Sequence, residues 1–200
     1  LITAGMPYWL AFIVTVVISF FFGMGIERVL IRRVENAPVL SVVIVFIGMQ
    51  FILNSLAGWV FGYTIQQFPS PFPEEPPFGN PYINSHELGI VVVTFLVVGM
   101  LWAFFRFTSA GLALRGAAAN SDSAALCGIR VGSMLALGWG LAAAIGAVAG
   151  MLIAPVVFLD PNMMVGVQVY AFAAALVGGI DSPLGAVLGS FLVGVLENLL

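Results

Sequence analysis

The sequence predicts an all-α fold, a polytopic transmembrane helix bundle. Of the 200 residues, 62% are hydrophobic and only 8% are charged, and the mean hydropathy is +1.14. A soluble domain carries about a quarter charged residues, so this composition excludes a soluble protein. All six cationic residues are arginines, and they fall in two clusters along the chain. These three observations carry the prediction of the fold class.

Six apolar stretches are candidates for membrane-crossing helices. A helix needs about 20 residues to cross roughly 30 Å of hydrocarbon. The first four stretches are close to that length or exceed it, whereas the fifth is short and rich in glycine. In chain order we predict spans at 8–26, 39–61, 88–107, 131–158, 166–180 and from Pro183 to the C-terminus.

The connections between these spans alternate in arginine content. Residues 27–38 hold three arginines and residues 107–130 hold two more, whereas residues 62–87 and 159–165 hold none. Short, arginine-rich loops stay on the cytoplasmic side of a membrane. We therefore predict that connections 27–38 and 107–130 face the cytoplasm and that connections 62–87 and 159–165 lie outside.

The outer connection 62–87 contains six prolines. Proline removes a backbone donor and favours extended or turn structure, so we expect a stiff, irregular cap over the outer face. The cap is either a solvated connection or a docking surface for an external partner, and the sequence leaves both open. We expect His86, the only histidine, to be a solvated surface residue, because one histidine beside Glu87 lacks the three or four ligands of a metal site.

No arrangement of side chains in the sequence points to catalysis. Gly23-Met-Gly25 and Gly138-Trp-Gly140 resemble pieces of dinucleotide-binding motifs, but they lie within spans and follow no strand. The single cysteine, Cys127, excludes an intramolecular disulfide, and we interpret it as a small packing residue. We expect no catalytic residue, no metal site, no cofactor bound by this chain and no nucleic-acid partner.

Polar side chains within the spans are few. Gln50, Asn54 and Ser55 lie on or near one face of the second span, and Gln168 lies near the start of the fifth. Polar groups in hydrocarbon need partners, so they face the bundle interior. They either form interhelical hydrogen bonds or border a translocation path, and our path hypothesis names Gln50, Asn54 and Gln168. The spans carry no mid-span acid or arginine, which argues against proton relays and sodium coupling.

The inner segment 107–130 predicts two short helices. Ser109 is a candidate cap for the first, Asn120 or Ser121 for the second, and Gly128 fits the end of the second helix. Alanine dominates the segment, which suits docking into a cleft of another protein better than anchoring at a lipid interface. The candidate docking residues are Arg115, Gly116, Ala117, Ala118, Asn120, Asp122, Ala124, Ala125 and Gly128.

The segment 171–197 joins two apolar, small-residue blocks through a tight connection. Alanine and glycine let helix axes approach closely within a bilayer, so we predict two short helices packed backbone against backbone. The residues that we assign to this turn and its packing are Gly178, Gly179, Pro183 and Gly185.

Several motifs resemble the membrane subunits of the branched-chain amino acid ABC importers, the LivH type. The resemblance covers nearly the whole chain, although Tyr170 stands where the family commonly has lysine. The family's N-terminal spans are absent, so we interpret residues 1–200 as a fragment of a single permease domain. The motifs are Gly25-Ile-Glu-Arg28 with Ile31-Arg-Arg33, Ile47-Gly48 with Phe61-Gly62, residues 108–129, Ala149-Gly150, Ala171-Phe172, Gly178-Gly-Ile180 and Pro183-Leu-Gly-Ala186.

The resemblance implies about eight spans in the full chain, in a multi-pass protein of the bacterial cytoplasmic (inner) membrane. The implied partners are a second permease subunit, two cytoplasmic ATPase subunits that hydrolyse ATP, and a periplasmic substrate-binding protein. The docking residues 115–128 would then couple the permease to the ATPase. The implied substrates are branched-chain or other small apolar amino acids. Urea, short amides or sugars within the same superfamily, and a channel-like protein that works without ATP, are the alternatives.

Overall fold

The computed structural model of the protein describes residues 7–34, 37–68, 70–72, 84–179 and 182–199. Within these residues the chain is helical, apart from short connections and a single antiparallel bridge between Gln66 and Leu159. Four helices in the described residues are long and apolar enough to cross a membrane. The predicted class, a helical membrane bundle, is confirmed.

The helices follow the predicted order. A wide, π-helical turn at Glu27–Ile31 joins the first two, so that Tyr8–Val34 forms one continuous stretch of 27 residues. The helices in the described part of the chain are α1 Tyr8–Ile26, α2 Arg32–Val34, α3 Val39–Phe61, α4 Ser85–Phe107, α5 Ser109–Ala119, α6 Ser121–Leu126, α7 Val131–Val157, α8 Met164–Gly178 and α9 Pro183–Leu199.

The predicted spans and the helices differ by up to three residues at several ends, and α8 begins and ends two residues earlier than the predicted span 166–180. Helix α4 begins at Ser85, three residues before the predicted start, because the Asn84 side chain caps it by accepting a hydrogen bond from the His86 amide at 3.4 Å. Helices α8 and α9 have 15 and 17 residues, fewer than the roughly 20 that a full crossing needs. The six predicted spans are thus four full-length helices and two shorter ones.

By its contacts the chain divides into two compact units. The first contains Leu1–Gln50 and Phe68–Pro155, and the second contains Phe51–Gln67 and Val156–Leu200. Helices α3 and α7 each contribute residues to both units.

In the first unit, α1 packs on α7 through glycine. A Cβ atom on Gly23 would lie 2.6 Å from both the Trp139 carbonyl oxygen and the Ala143 Cβ, and one on Gly140 would lie 2.8 Å from Met24 Cγ. A side chain at either position would therefore push the two helices apart. Both glycines belong to the Gly-x-Gly motifs that resemble dinucleotide-binding patterns, and the structure shows that they are packing positions.

In the second unit, α8 and α9 form a tight helical hairpin. A Cβ atom on Gly178 would overlap the Gly185 carbonyl oxygen, and one on Gly185 would overlap the Gly178 carbonyl oxygen. About one turn along α9, a Cβ atom on Gly189 would overlap the Ala174 carbonyl oxygen. The two backbones thus meet directly, with no side chain between them. Glycine also ends α8, where Gly179 has φ +92°.

Candidate functional site

A cluster of polar groups lies in the second unit, where α3 meets the segment after α7. The Asn54 Nδ2 group donates a hydrogen bond to Asn162 Oδ1 at 2.6 Å. The backbone N–H of Asn162 donates a hydrogen bond to Asp160 Oδ2 at 2.9 Å. Asn54 Oδ1 is shielded from solvent and has no hydrogen-bond partner within the described residues.

Asn54 is one of the predicted path residues, whereas its partner Asn162 is not. The available signal was the Asp160-Pro161-Asn162 pattern, which is typical of a turn and says nothing about a contact 108 residues away. Gln50 and Gln168, the other two predicted path residues, are exposed, and each has an interaction partner. Of the three path candidates, Asn54 is the one whose hydrogen bond to Asn162 is defined and whose Oδ1 atom remains as an acceptor without a partner in the described residues.

The segment after α7 is fixed at a second point. Leu159 and Gln66 exchange two backbone hydrogen bonds, of 2.9 and 3.1 Å. Phe158, directly before them, has φ +66°, which a bulky side chain rarely adopts. Such strain persists only where surrounding contacts over-determine the backbone. Here the bridge to Gln66 and the contact with Asn54 supply those contacts.

The inner segment forms the two predicted helices, α5 and α6. Thr108, rather than the predicted Ser109, caps α5, because its Oγ1 accepts a hydrogen bond from the Gly111 amide at 2.9 Å. Asn120 alone separates the helices and caps α6 as predicted, with its Oδ1 accepting from the Ser123 amide at 2.9 Å. Local hydrogen bonding of this kind is readable from sequence to within a residue.

Helix α6 ends at Leu126, and Gly128 follows its C-cap as the predicted C′ residue, with φ +82°. The amides of Ile129 and Gly128 donate back to the carbonyl oxygens of Ala124 and Ala125, at 3.0 Å each. This is a Schellman motif, which satisfies the last carbonyl groups of the helix. Cys127 lies at the same end and is exposed, so its interpretation as a packing residue was wrong.

The alanines of the inner segment divide into two sets. Ala117 and Ala124 are each 5% exposed, whereas Ala118 and Ala125 are exposed. Two of the four alanines expected to form a docking surface therefore pack inside the chain. Leu126, which is not one of the predicted docking residues, is 91% exposed and belongs to the same surface. We call the exposed set the inner docking surface; it consists of Arg115, Ala118, Asn120, Asp122, Ala125, Leu126 and Gly128.

Helix α5 lies against α7, and the two helices leave an apolar groove of about 270 Å³ between them. Leu114 and Ala118 line it from α5, and Met134 and Trp139 line it from α7. A further close approach holds α5 to the end of α4, since a Cβ atom on Gly111 would lie 2.7 Å from Phe105 Cα. Helix α5, which carries Arg115 and Ala118 of the inner docking surface, thus lies against two membrane helices.

His86 is buried, with 6% of its surface exposed, so the expectation of a solvated surface histidine was wrong. Its Nε2 lies 3.0 Å from the Leu152 carbonyl oxygen and its Nδ1 lies 3.0 Å from Ser70 Oγ. A carbonyl group only accepts hydrogen bonds, so Nε2 carries a proton and donates. The Phe72 ring packs beside the imidazole at a centroid distance of 5.9 Å.

His86, at the start of α4, therefore links Ser70 of the outer connection to the backbone of α7. Its partner Leu152 is 66 residues away in the chain, and no local pattern indicates that contact. The remaining prediction for the outer connection, a stiff cap that is solvated or docks a partner, falls largely on residues 73–83, which lie outside the described residues.

Comparison with known proteins gives one consistent family. The family model described as "Branched-chain amino acid transport system / permease component" matches residues 1–200. The chain is 33% identical over 194 residues to the high-affinity branched-chain amino acid transport system permease protein LivH of Salmonella typhimurium. It is 32% identical over 194 residues to LivH of Escherichia coli K12, and 32% identical over 193 residues to the corresponding permease protein BraD of Pseudomonas aeruginosa.

These alignments cover 94% of this chain and 63% of each relative. The chain thus spans less than two thirds of the length of the curated relatives that it matches. No solved structure is significantly similar to it. The family match extends over every helix described above, including the inner docking surface and the α8–α9 hairpin. The chain belongs to the branched-chain amino acid transport permease family.

Proposed function

We propose that this chain is the membrane-spanning permease subunit of an ATP-driven importer in the bacterial cytoplasmic (inner) membrane. It forms the translocation path for branched-chain or other small apolar amino acids, which a periplasmic binding protein delivers. A second permease subunit completes the path, and two cytoplasmic ATPase subunits bind and hydrolyse the ATP. Family membership supports the transport role, and the relatives are named for branched-chain amino acid transport.

The observation that carries the coupling to an ATPase is the inner docking surface. Helix α6 exposes Leu126 almost completely, on the side of the protein where the arginines predict the cytoplasm. Burying a few hundred Å² of apolar surface there would contribute several kcal/mol before association costs, at about 25 cal/mol per Å². Because α5 packs on α7, a displacement that the ATPase imposes on the surface would reach a membrane helix directly.

The path is proposed to pass the Asn54–Asn162 pair. Asn54 Oδ1 is an acceptor without a partner in the described part of the chain, and the ammonium group of an amino acid offers only donors. Helix α7 continues along the chain into the strained segment 158–162 that holds Asn162.

The test of coupling is a change at Leu126. Leu126→Glu should lower co-purification of the ATPase and substrate-stimulated ATP hydrolysis at least tenfold, because a carboxylate cannot enter an apolar cleft without losing its hydration. Leu126→Met keeps the size and apolarity of the side chain and should leave both measurements near wild type. Wild-type values for Leu126→Glu would contradict the ATP-driven proposal, and uptake that persists without ATP would favour a channel-like protein.

The test of the path is a change at Asn54. Asn54→Leu should lower uptake of labelled leucine, isoleucine and valine by about tenfold, the loss of one hydrogen bond to a charged group, while the ATPase still co-purifies. Ser55→Ala, at an exposed neighbour on the same helix, is the matched control. Normal uptake by Asn54→Leu would place the path elsewhere, and uptake of urea or a sugar in place of amino acids would change the substrate class.

A further inference from the structure

A cleft of about 480 Å³, with apolar as well as charged residues in its lining, lies in the first unit between the continuous helix Tyr8–Val34 and the start of α7. Three of the protein's six arginines line it. Arg28 and Arg32 belong to the continuous helix Tyr8–Val34, and Arg130 directly precedes α7. Gly132 and Ser133 form the α7 wall. We call these five residues the arginine cleft.

The positive charges of the arginine cleft are not balanced by the described part of the chain. Within the described residues, no ion pair involves Arg28, Arg32 or Arg130. Of the two acids in the connection 27–38, Glu35 lies outside the described residues. The other, Glu27, is 1% exposed, and its Oε2 has no hydrogen-bond partner in the described residues. Like charges that share one cleft repel each other, and an anion between them removes that repulsion. The cleft therefore favours an anionic ligand.

One guanidinium of the cleft lies close to the backbone of α7. A Cβ atom on Gly132 would overlap the Arg32 guanidinium, so Arg32 lies directly on the α7 backbone in space that any other residue would fill. On the same wall, Ser133 Oγ donates to the Arg130 carbonyl oxygen at 2.7 Å, which orders the backbone that carries Arg130. Planar guanidinium groups bind the paired oxygens of a phosphate with two parallel hydrogen bonds.

The surroundings of the cleft fit a lipid as the source of that phosphate. The arginine distribution predicts that this end of the helices lies at the cytoplasmic membrane surface. Val29 and Leu30, next to Arg28, are exposed, and so are Phe21 and Phe22 one to two turns earlier on the same helix. A lipid whose headgroup enters the cleft would find exposed apolar surface for its acyl chains along the same helix. Basic pockets between helices at this surface suit anionic headgroups.

We propose that the arginine cleft binds the phosphate headgroup of an anionic phospholipid of the cytoplasmic leaflet. The bound headgroup would bridge the first helix and α7 and so fix the start of the helix on which α5 packs. This site goes beyond the proposed transport function, and it stands or falls independently of the substrate and of the ATPase.

The test measures lipid binding to the full chain in its purified permease complex, delipidated in a neutral detergent. Native mass spectrometry would count bound phosphatidylglycerol, with phosphatidylcholine of the same acyl chains as the comparison. We expect phosphatidylglycerol to bind at least tenfold more tightly. Arg28→Gln, Arg32→Gln and Arg130→Gln should each weaken its binding about fivefold, the effect of one arginine near an anionic surface.

Two variants separate the cleft from general charge attraction. Arg33→Gln removes the same charge from the same connection, but Arg33 does not line the cleft, so it should retain binding within about twofold. Gly132→Leu keeps all the arginines but fills the space where Arg32 lies, and should weaken phosphatidylglycerol binding at least fivefold.

Four results would overturn the proposal. Equal binding of the two lipids would show that the headgroup charge does not determine binding. Equal losses of phosphatidylglycerol binding in Arg33→Gln and Arg32→Gln would show that the cleft is not the site. Displacement of phosphatidylglycerol by inorganic phosphate at equal concentration would make the ligand a free phosphate. Loss of ATPase co-purification in the cleft variants, without any lipid preference, would make the cleft a protein contact.

Discussion

The α5–α6 pair and the α8–α9 pair are both short, rich in alanine and glycine, and joined by a brief connection, yet they use their small residues differently. In α8–α9 the glycines face each other, and backbone meets backbone at Gly178 and Gly185. In α5–α6 only Gly111, Ala117 and Ala124 are buried, and most of the remaining surface is exposed. Small residues permit close approach, but their position on the helix decides whether the approach is made within the chain or offered to a partner.

The largest effect is expected from a substitution that disrupts the backbone contact between α8 and α9. Gly185→Val would drive a branched side chain into the Gly178 carbonyl group, which is backbone and cannot move aside. We expect a destabilisation of at least about 3 kcal/mol, the upper end of the usual cost of overpacking, and little folded protein after detergent extraction. Gly194→Val on the same helix is the control, because no atom lies within 4 Å of its Cβ position. Equal yields of the two variants, measured by size-exclusion chromatography, would refute the backbone contact.

A smaller effect is expected where α5 meets α4. Gly111→Ala places a Cβ atom 2.7 Å from Phe105 Cα and against the Phe104 carbonyl oxygen. Overpacking of this size costs about 1–3 kcal/mol, so the variant should fold but unfold at a lower temperature in detergent. Because it shifts α5, it should also lower ATPase co-purification. An unchanged unfolding temperature would show that α5 is free to move relative to α4.

The smallest expected effect is a stabilisation, at a glycine of α5 that does not pack closely against another helix. Gly116 lies within α5, where the nearest atom to its Cβ position is Ile129 Cδ1 at 3.8 Å. Gly116→Ala therefore meets no clash and should stabilise the helix by up to about 1 kcal/mol. A higher unfolding temperature than wild type is the expected result. A lower one would mean that other atoms pack against the Gly116 Cβ position and that the contrast between the pairs is wrong.

Corrections to the sequence predictions concentrate on side chains whose partners are distant in the chain. His86 was expected in solvent and is buried against Leu152, and Cys127 was expected to pack and is exposed. Gly23 and Gly140 lie in motifs that were set aside, and each marks the approach of α1 to α7. Neighbouring residues determine none of these outcomes.

By itself the sequence determined the helical membrane class, the positions of the helices and several of their ends. Hydropathy over about 20 residues marks a span, and caps such as Asn120 and Gly128 depend on hydrogen bonds within three to five residues. Only the tertiary structure decided which helix faces meet. The long helices are apolar over most of their surface, so no amphipathic stripe indicates an inner face. The pairing of Asn54 with Asn162, and of Arg28 and Arg32 with Arg130 in one cleft, follows from packing between helices that lie far apart in the sequence.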